Sequence, residues 1–525
     1  MTFLLAIVVA FPLLVYLAYL YCARNDECLS TLPPRALVHS PNRWTTKEIQ
    51  ETFARLSKHP HSIVGKLPPK TGRRYIVVGG AGFLGGWLVF HLLARGEDPR
   101  RIRVLDIRRP TRLDLTTGKA ANVDFRVVDV SDADAVNAAF DAPWPDSGSH
   151  LDGGGITVFH TAATIRFYER MRFLVPLSAK VNVSGTQNII TACQNIGVDI
   201  LIYTSSGSIS IRRTRFWLWP WQSEPDDFVQ VIDDCDDMAP TKHEEFFSNY
   251  ALTKRLAESL VRRADRSSTK NGGILRTGCL RPGNGIFGPG GDVLCGAYIV
   301  RKTNPTWIPN ILQNFIYVEN CSLAHLCYEA RLAALSNQPH TNRTLPDIGG
   351  QAFCVADPNP PVTYGDVYHT LNVLTHGKTT FPIISPTLML LISHMFELWY
   401  LIRHVLLSLP KATPLHVLGR ILPPLGGDLV NLQPSLFALV VVHLVFDDSR
   451  ARLPPEEGGL GYEGVWTTLE GLCKLVDEHE KNGGHVEERQ KNGGGVSIGF
   501  GLVKAERGVE KVKEGFMDAP STMMN

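Results

Sequence analysis

The sequence has no excess of charge of either sign. Its 525 residues include 53 Lys and Arg against 51 Asp and Glu, which gives a formal net charge of +2. A protein that binds DNA or RNA through phosphate groups usually carries a basic excess. We therefore expect no nucleic-acid partner.

Cysteine is sparse, and the C-x-x-C pairs typical of zinc sites are absent from the sequence. The ten cysteines are spread between Cys22 and Cys473. Cys321, His325 and Cys327 are close along the chain but lack a second pair of ligands. The sequence thus predicts no metal and no disulfide framework, and it favours a reducing compartment for the catalytic part.

The N-terminus lacks both a positive residue before its apolar stretch and a small-residue cleavage site after it, which argues against a removable signal peptide. Phe3 to Cys22 is almost continuously apolar, and about twenty such residues cross a hydrocarbon core of about 30 Å. Arg24 and Arg35 follow on the far side. By the positive-inside tendency we expect a single-pass membrane protein, in the endoplasmic reticulum, whose catalytic domain faces the cytosol.

The segment Tyr75 to Arg95 combines an apolar run, a glycine-rich corner and an apolar pattern at helical spacing. It predicts a strand, a tight turn and a helix. Such a corner directs the amides at the N-terminus of the helix towards a ligand, which favours a pyrophosphate. The residues that we expect to bind a dinucleotide there are Gly79, Gly82, Phe83, Leu84 and Gly85.

A second short strand, Arg103 to Asp106, ends in a carboxylate about 20 residues beyond the last glycine of the corner, where a dinucleotide-binding fold places its ribose-binding acid. The charge of Asp106 repels a 2′-phosphate, which favours NAD over NADP. Arg108 and Arg109 follow directly and are suited to hold such a phosphate, so NADP stays open.

Strands and helices alternate after this point. Asp124 to Val130 is predicted as a strand whose last residues, Asp129 and Val130, meet the adenine. Further strands are predicted at 156–163 and 200–206, with a helix at 180–193 between them. This alternation is typical of an α/β protein with a parallel sheet wound on both faces.

Tyr250 and Lys254 lie four residues apart in a predicted helix and hence on one face of it. A tyrosine acts as a base near neutral pH only when a nearby positive charge favours its phenolate. Ser206, at the end of a predicted strand, is placed to hold a substrate hydroxyl against Tyr250. The turn that includes Pro282 follows another strand, and we expect its backbone to lie beside the nicotinamide.

From about Tyr75 to Leu475 the chain resembles the extended short-chain dehydrogenases/reductases and, within them, the 3β-hydroxysteroid dehydrogenase family, including the sterol-4α-carboxylate 3-dehydrogenases. The segments that carry the resemblance are VVGGAGFLG, RVLDIRRP, FHTAA, KVNVSGTQNII, IYTSS, YALTK, LRPGNGIFGPG, NFIYVENCSLAHL and LVFDDSRAR. The last two are similar to the sterol branch.

The resemblance implies a catalytic role for four residues. Tyr250 is the base, Lys254 binds the cofactor ribose, and Ser206 is the catalytic serine. Asn182 matches the helix asparagine that supports a proton relay. Ser205 stays an alternative to Ser206, because one residue of register separates the two.

The chain departs from the family pattern in a long insert, 212–237, which contains Trp217, Trp219 and Trp221 and then an acidic run. Two interpretations stay open: a membrane-interface or lid segment, which suits tryptophan and arginine, or a partly ordered surface loop.

A second apolar segment, 381–409, contains His394, Glu397 and Arg403. Because charges at the centre of a bilayer are costly, we interpret it as a helix that dips into the membrane rather than a span. His394 and Glu397 are interpreted as an ordinary packing or interfacial pair. The expected organisation is an N-terminal transmembrane helix at 1–23, a linker at 24–72, a Rossmann-type NAD(P)-binding domain at 73–285, a smaller substrate-binding lobe at 286–478 and a disordered tail at 479–525.

The function implied by these features is the NAD(P)-dependent oxidation of a 3β-hydroxyl group on an apolar, sterol-like substrate to the 3-ketone, with loss of CO2 from C4 as an open addition. Three alternatives stay open: a steroid double-bond isomerase, a reductase of a non-steroid (terpenoid or polyketide) ketone, and a cofactor-binding scaffold without turnover. The expected partners are the substrate and the membrane, and a homodimer is left open.

Overall fold

The computed structural model describes residues 2–146, 155–214, 217–225, 228–237, 239–336 and 345–481. The expected disordered tail lies outside the described residues from 482 onwards. So do Arg215 and Phe216, two residues of the predicted insert.

A parallel sheet forms the centre of the protein. The strands are β1 Arg74–Val78, β2 Ile102–Asp106, β3 Asp124–Val127, β4 Ile156–His160, β5 Ile200–Thr204, β6 Val229–Ile232, β7 Ser267–Ser268, β8 Ile274–Pro282, β9 Ile286–Phe287, β10 Leu312–Gln313, β11 Ile316–Tyr317, β12 Ala352–Val355, β13 Val362–Thr363 and β14 His443–Phe446. Seven of them are adjacent in the order β12-β8-β5-β4-β1-β2-β3, each parallel to its neighbour, and β7 adds antiparallel to β8. The strand order reverses between β1 and β4, where open α/β sheets bind their ligands.

Helices cover both faces of the sheet and build the remaining lobe. They are α1 Thr2–Glu27, α2 Pro34–Leu37, α3 Thr46–Lys58, α4 Phe83–Ala94, α5 Ala133–Asp141, α6 Val175–Ala179, α7 Thr186–Ile196, α8 Asn249–Arg263, α9 Cys295–Arg301, α10 Val318–Ser336, α11 Tyr364–Leu374, α12 Pro386–Ser408, α13 Pro414–Ile421, α14 Pro434–Val440, α15 Ser449–Arg452 and α16 Thr468–Lys481. A π-helical segment, Lys180–Gly185, joins α6 to α7. Helices α4 and α10 lie on one face, and α5, α7 and α8 lie on the other, so the predicted doubly wound α/β sheet is confirmed.

The central strands form because both of their faces are buried. All five residues of β1, Arg74–Val78, are buried, and so are all five of β5, Ile200–Thr204. Such strands are continuously apolar and rich in β-branched residues rather than alternating. The two helical layers complete one hydrophobic core on each side of the sheet, and this packing fixes the edge where the carboxyl ends of the strands meet.

The stretch 24–72, expected as a linker, contains two helices. The Thr45 side chain caps α3 by accepting a hydrogen bond from the Glu48 amide at 3.2 Å. Helix α3 packs against α11 and α16 of the lobe, and Arg55 forms an ion pair of 2.7 Å with Glu470. At least this part of the stretch is therefore integrated into the lobe.

Two apolar helices meet beside the lobe. The side chains from Ala10 to Leu20 on α1 are exposed. Among the described residues, helix α12 is long and apolar enough to cross a membrane. Only 17% of its most apolar stretch of 18 residues is buried in the protein. The amide of Thr387 donates to Asp26 Oδ1 at 2.9 Å, so the end of α1 contacts the start of α12.

Several predicted strands are longer than the observed ones. Those predicted at 156–163 and 200–206 end at His160 and Thr204. The strand predicted at 124–130 ends at Val127, after a last bond to β2 in which the Val128 amide donates to the Asp106 carbonyl at 2.8 Å.

The apolar segment 439–446 is too short to span a membrane and is typical of a strand before Asp447. The observed strand begins only at His443, since helix α14 occupies the residues up to Val440.

Candidate functional site

The glycine corner lies at the point where the strand order reverses. Gly79 follows β1 with a φ of 85°, and its amide donates to the Leu105 carbonyl at 2.7 Å. Helix α4 then begins at Phe83 with Gly82 as its N-cap. The first amides of a helix have no acceptor within the helix, so those of Phe83, Leu84 and Gly85 are suited to an anionic ligand. The predicted strand, turn and helix are confirmed.

The third glycine of the corner is required by close contact between backbones. A Cβ atom at Gly85 would lie 2.2 Å from the Gly79 carbonyl oxygen, whereas one at Gly65 would have no neighbour within 4 Å. We expect Gly85→Ala to weaken dinucleotide binding about 100-fold or more, because the turn must open to admit the methyl group. Gly65→Ala is the matched control, with no expected change. Titration of protein fluorescence with NAD measures both, and an unchanged Kd in Gly85→Ala would contradict this use of the corner.

Asp106 ends β2 and joins the second strand to the corner. One carboxylate oxygen accepts from the Ala81 amide at 3.0 Å and the other from the Arg108 amide at 3.4 Å. Burial raises the pKa of Asp106, and the hydrogen bond from Arg108 opposes that rise. The Arg109 guanidinium lies over the Phe125 ring at 5.9 Å. The carboxylate thus lies beside the corner, as a ribose-binding acid must.

The residues predicted to meet the adenine lie just beyond β3. The Asp129 carboxylate accepts from the Ser131 amide at 2.9 Å. Val130 is buried, and its carbonyl accepts from Asn188 Nδ2 at 3.0 Å. Val130 therefore contacts helix α7 through Asn188, whereas the Asp129 side chain is exposed.

Tyr250 and Ser206 are brought together, as predicted. Tyr250 is in the first turn of α8, and Ser206 follows β5 by two residues. Burial raises the pKa of Tyr250 to about 12, and a hydrogen bond with Ser206 opposes that rise. The Ser206 hydroxyl also lies 2.7 Å from that of Ser208. Three hydroxyl groups therefore lie in sequence at the edge of the sheet.

Lys254 lies one turn further along α8, but its ammonium group is directed to the backbone of β5. Nζ donates to the Thr204 carbonyl at 2.5 Å and lies 4.2 Å from the centre of the Tyr203 ring. Burial lowers the pKa of Lys254 to about 7, and Cys279 and Glu258 oppose that shift. In this arrangement burial dominates the pKa of Tyr250, and the ammonium group of Lys254 contacts Thr204. A lowering of the pKa of Tyr250 by Lys254 stays a prediction for the complex with the cofactor.

Thr204 and His325 hold this lysine from the other face of the sheet, and sequence reasoning missed both. The Thr204 hydroxyl lies 2.7 Å from His325 Nε2, and His325 Nδ1 lies 2.8 Å from the Cys321 carbonyl. Burial lowers the pKa of His325 to about 4, so the ring is neutral, and it donates to Cys321 and accepts from Thr204. His325 lies in the NFIYVENCSLAHL segment, which carries the resemblance to the sterol branch, but nothing local in that segment indicates a contact with Thr204.

Asn182 lies in the π-helical segment and joins two other parts of the site. Its Oδ1 accepts from the Thr164 amide at 2.8 Å, and its Nδ2 donates to Thr253 Oγ1 at 3.0 Å. Its carbonyl accepts from the Thr186 hydroxyl at 2.6 Å. π-Helical turns occur often at functional sites. Here the turn places an amide next to the residue that precedes Lys254.

Ser205 lies beside a different residue of α8, Glu258. Burial raises the pKa of Glu258, but Arg281 and, to a smaller extent, Ser205 hold it below its usual value. The contact of Tyr250 with the next residue, Ser206, therefore favours Ser206 over Ser205 as the catalytic serine.

A buried ion-pair network lies behind α8 and was missed at the level of sequence. Arg281 bonds Glu258 at 2.6 Å and Asp236 at 2.6 Å, and Asp236 also binds Arg262 at 2.6 Å. Although burial opposes ionisation of Asp236, its hydrogen bonds with Arg255 and Arg281 hold its pKa below the usual range. Asp236, from the acidic run in the insert, is therefore bound to arginines of α8 and β8.

The C-terminal lobe reaches the same edge of the sheet. Pro282 ends β8, and the Gly283 amide donates to the Val355 carbonyl at 2.8 Å. A Cβ atom at Gly207 would lie 2.9 Å from the Pro282 carbonyl oxygen and 2.2 Å from the Phe446 ring. Phe446, from the late LVFDDSRAR segment, thus covers the turn that follows Ser206.

Within the residues that the structure describes, no group of three or more His, Cys, Asp or Glu side chains is suited to a metal ion. His394 Nδ1 lies 3.7 Å from Glu397 Oε2, and Glu397 forms its short contacts with Arg170. The residues present fit a dinucleotide instead, because the glycine corner, the first amides of α4 and the carboxylate that ends β2 lie along the same edge of the sheet as Ser206.

Comparison with known proteins agrees with this arrangement. The chain is 28% identical over 422 residues to the 3beta-hydroxysteroid-dehydrogenase/decarboxylase isoform 2 of Arabidopsis thaliana, covering 78% of this chain and 62% of the relative. The chain thus spans less than two thirds of that protein's length. It is 32% identical over 302 residues to the 3 beta-hydroxysteroid dehydrogenase/Delta 5-->4-isomerase of Vaccinia virus (strain Ankara), covering 57% of this chain and 75% of the relative.

Among solved structures, a UDP-glucose 4-epimerase from Thermotoga maritima superposes with a TM-score of 0.49 at 16% identity, covering 78% of this chain and 99% of the epimerase. The model of the 3-beta hydroxysteroid dehydrogenase/isomerase family matches residues 76–377, which is more than half of the chain. The protein therefore belongs to the 3-beta hydroxysteroid dehydrogenase/isomerase family.

Proposed function

We propose that the protein oxidises the 3β-hydroxyl group of a sterol or steroid-like substrate to the 3-ketone, with NAD as the oxidant. The observation that carries the proposal is the contact of Tyr250 with Ser206 at the carboxyl end of β5, one helical turn from Lys254 and two strands from the glycine corner that follows β1. Family membership narrows the substrate to the steroid class.

The residues have separate tasks in this reaction. Ser206 donates a hydrogen bond to the substrate oxygen, and Tyr250 removes the hydroxyl proton as the carbonyl forms at C3. NAD held by the glycine corner and Asp106 would supply the acceptor for the hydride of C3 and a positively charged ring. Lys254 binds the ribose hydroxyls and, while protonated, favours the phenolate of Tyr250. The Ser206–Ser208 hydroxyl pair, 2.7 Å apart, extends the hydrogen-bonded path from the tyrosine.

Asp106 supports NAD rather than NADP as the cofactor. Its carboxylate is held at the end of β2 by the Ala81 amide, where the adenosine ribose lies in a dinucleotide-binding fold. A 2′-phosphate at this position would face a buried negative charge, since Asp106 lies beside the corner rather than on the open surface.

Loss of CO2 from C4 is the finer part of the proposal. The relative from Arabidopsis carries the word decarboxylase in its name, whereas the Vaccinia relative carries the word isomerase. A carboxylate at C4 becomes part of a β-keto acid once C3 is oxidised, and such acids lose CO2 with little further catalysis. Decarboxylation therefore needs no group beyond those described, and we propose it for a 4-carboxylated substrate.

Attachment to a membrane is part of the same proposal. Six large apolar side chains on α12 recur at a spacing of three or four residues, and each is at least 44% exposed. This outer stripe of α12 consists of Leu388, Leu391, Met395, Leu398, Ile402 and Val405. A single apolar stripe is typical of a helix that lies in the membrane interface. We assign α12 that position and α1 the role of anchor, with the body of the protein on the cytosolic face of the endoplasmic reticulum.

The tryptophan-rich insert supports this placement. Trp219 and Trp221 stack at 5.6 Å, and both are exposed. The insert is tied to the end of α1, because Arg24 donates to the Gln222 carbonyl at 2.8 Å and the Leu218 amide donates to Asn25 at 2.8 Å. Tryptophan beside the cytosolic end of an anchor suits the headgroup region. A sterol substrate then reaches the site through the lipid.

The test is cofactor reduction by the detergent-solubilised full chain. NAD and NADP are supplied separately with 3β-hydroxysterols that either carry or lack a 4α-carboxylate, and reduced-cofactor fluorescence and released CO2 are measured. We expect NAD reduction, with CO2 only from the carboxylated sterols. Cofactor reduction only with the sterols that lack a carboxylate would contradict decarboxylation. If no sterol gives reduced cofactor although the protein still binds NAD, the proposed substrate is wrong.

A further inference from the structure

The segment Ile165–Met171 lies between the catalytic residues and helix α12. At its start, the neighbouring Thr164 is bound by the Asn182 side chain through its amide at 2.8 Å and its carbonyl at 3.1 Å. At its end, Asn249 Nδ2 donates to the Met171 carbonyl at 2.9 Å. Both ends of the segment are therefore fixed to residues of the site.

The middle of the segment holds the first turn of the catalytic helix. The Asn249 amide donates to the Glu169 carbonyl at 2.7 Å. Asn249 is the first residue of α8 and directly precedes Tyr250. A shift of the Glu169 backbone would therefore move the turn that carries the tyrosine.

The charged side chains of the segment bind the inner face of α12. Arg170 bonds both carboxylate oxygens of Glu397 at 2.6 Å, and the Glu397 side chain is only 7% exposed. The Tyr400 hydroxyl donates to the buried Glu169 carboxylate at 2.5 Å and accepts from Arg166 at 2.9 Å. A bidentate arginine pair of this kind fixes orientation as well as distance.

Glu397 and Tyr400 lie on the side of α12 opposite its outer stripe. At 100° per residue the stripe, from Leu388 to Val405, occupies an arc of about 100°, and Glu397 and Tyr400 project on average in the reverse direction. One face of α12 is thus suited to lipid, and the other is bonded to the segment that holds Tyr250.

We propose that α12 positions Tyr250, so that seating of the outer stripe in a lipid surface sets the catalytic geometry. Glu397 and Glu169 are the positioning residues, and they act through Arg170 and Asn249. Lipid favours the orientation in which the stripe points outwards, because only that orientation buries it, and a ligand shifts an equilibrium only through such a difference. This inference rests on the proposed membrane attachment and on the proposed role of Tyr250.

The first test compares Glu397→Gln with wild type, both as the full chain in phosphatidylcholine vesicles. Two quantities are measured: hydrogen exchange of the amides of α8 from Asn249 to Lys254, and kcat and KM for the sterol. We expect about tenfold faster exchange and about tenfold lower kcat, with the sterol KM and the NAD Kd within about twofold. Glu397→Asp, which keeps the charge, should restore part of both.

The matched control is Glu51→Gln, which removes a carboxylate whose side chain is 68% exposed on α3 and should change neither quantity. If Glu397→Gln has the exchange rate and kcat of the wild type, α12 does not position Tyr250. A higher KM for the sterol at an unchanged kcat would also overturn the coupling, because α12 would then affect only the entry or binding of the substrate. Exchange is measured without turnover, so it tests the coupling even if the proposed reaction fails.

The second test removes the lipid contact. Met395→Asp places a charge in the outer stripe. Trp399 is on α12 and partly exposed, so the part of the quenching by brominated phosphatidylcholine that is lost in Trp399→Phe reports whether α12 still touches lipid. We expect lower quenching together with the faster exchange at Asn249 to Lys254. Lower quenching with wild-type exchange would overturn the role of lipid in setting the geometry.

Discussion

Replacing Tyr250 with Phe should lower kcat about 10²- to 10⁴-fold while the NAD Kd changes less than about twofold. The substitution removes only the hydroxyl group that Ser206 contacts. No other acid or base in the site is assigned the substrate proton. Loss of the Tyr250 hydroxyl group should therefore slow the chemical step and leave NAD binding nearly unchanged. Stopped-flow detection of the reduced cofactor, together with a fluorescence titration of NAD, separates these two effects.

Tyr462→Phe is the matched control for this prediction. The hydroxyl of the buried Tyr462 donates to the Ala356 carbonyl at 2.9 Å. Its loss should cost about 1 kcal/mol of folding free energy and leave kcat unchanged. Full activity in Tyr250→Phe would contradict the assignment of the base and would favour the cofactor-binding scaffold that the sequence left open.

Replacing Lys254 with Met should lower kcat about 100-fold or more and also stabilise the protein at pH 6. Lys254 is 2% exposed, and burial lowers its pKa to about 7. Below pH 7 the folded protein therefore keeps a buried positive charge, which methionine removes at similar volume. We expect a gain of about 1–3 kcal/mol in the free energy of unfolding at pH 6.

The same shift gives the sign of the pH dependence. Between about pH 7 and pH 10.5 the unfolded state holds a proton on Lys254 that the folded state has lost. The contribution of this group to stability therefore rises with pH across that window. Lys254→Met should lack this rise, whereas Lys47→Met, at a side chain 84% exposed, should keep it.

Urea unfolding at pH 6 and pH 9 measures this prediction for all three proteins. If Lys254→Met is less stable than wild type at pH 6, the cost of burying the charge is smaller than the value of its bond to Thr204. That result would contradict the lowered pKa.

Local patterns in the sequence predict the parts of the site that depend on neighbouring residues. The glycine corner and the Tyr250–Lys254 spacing are such patterns, because a turn and a helix face are set within a few residues. The end of β2 at Asp106 follows from the same reasoning. These residues lie at the predicted edge because parallel strands bring their carboxyl ends together.

Contacts between distant segments are not predictable in this way. Arg281, Glu258 and Asp236 form one network, although nothing local in any of the three marks its partners. The choice between Ser205 and Ser206 depends on which of the two contacts Tyr250 and which contacts Glu258, and a one-residue register error exchanges them. The direction of Lys254 was missed because its acceptor is a backbone carbonyl, which carries no sequence signal.

The same limit applies to α12. Its composition predicts an apolar helix with a few charges, and these charges were interpreted as a cost of entering the bilayer. In the structure Glu397 binds Arg170, more than 200 residues earlier in the chain. The position of each charge on the helix, rather than the number of charges, separates the face suited to lipid from the face bonded to the protein.

The central claim, that the oxidised group is the C3 carbinol of a sterol, is tested most directly with a 3β-hydroxysterol that carries deuterium at the 3α position. The full chain is incubated with this substrate and NAD, the reduced cofactor is isolated, and its mass is measured by mass spectrometry. The account predicts one deuterium in each reduced cofactor and a 3-ketone as the product. Reduced cofactor without deuterium, or a product that retains the label at C3, would contradict it.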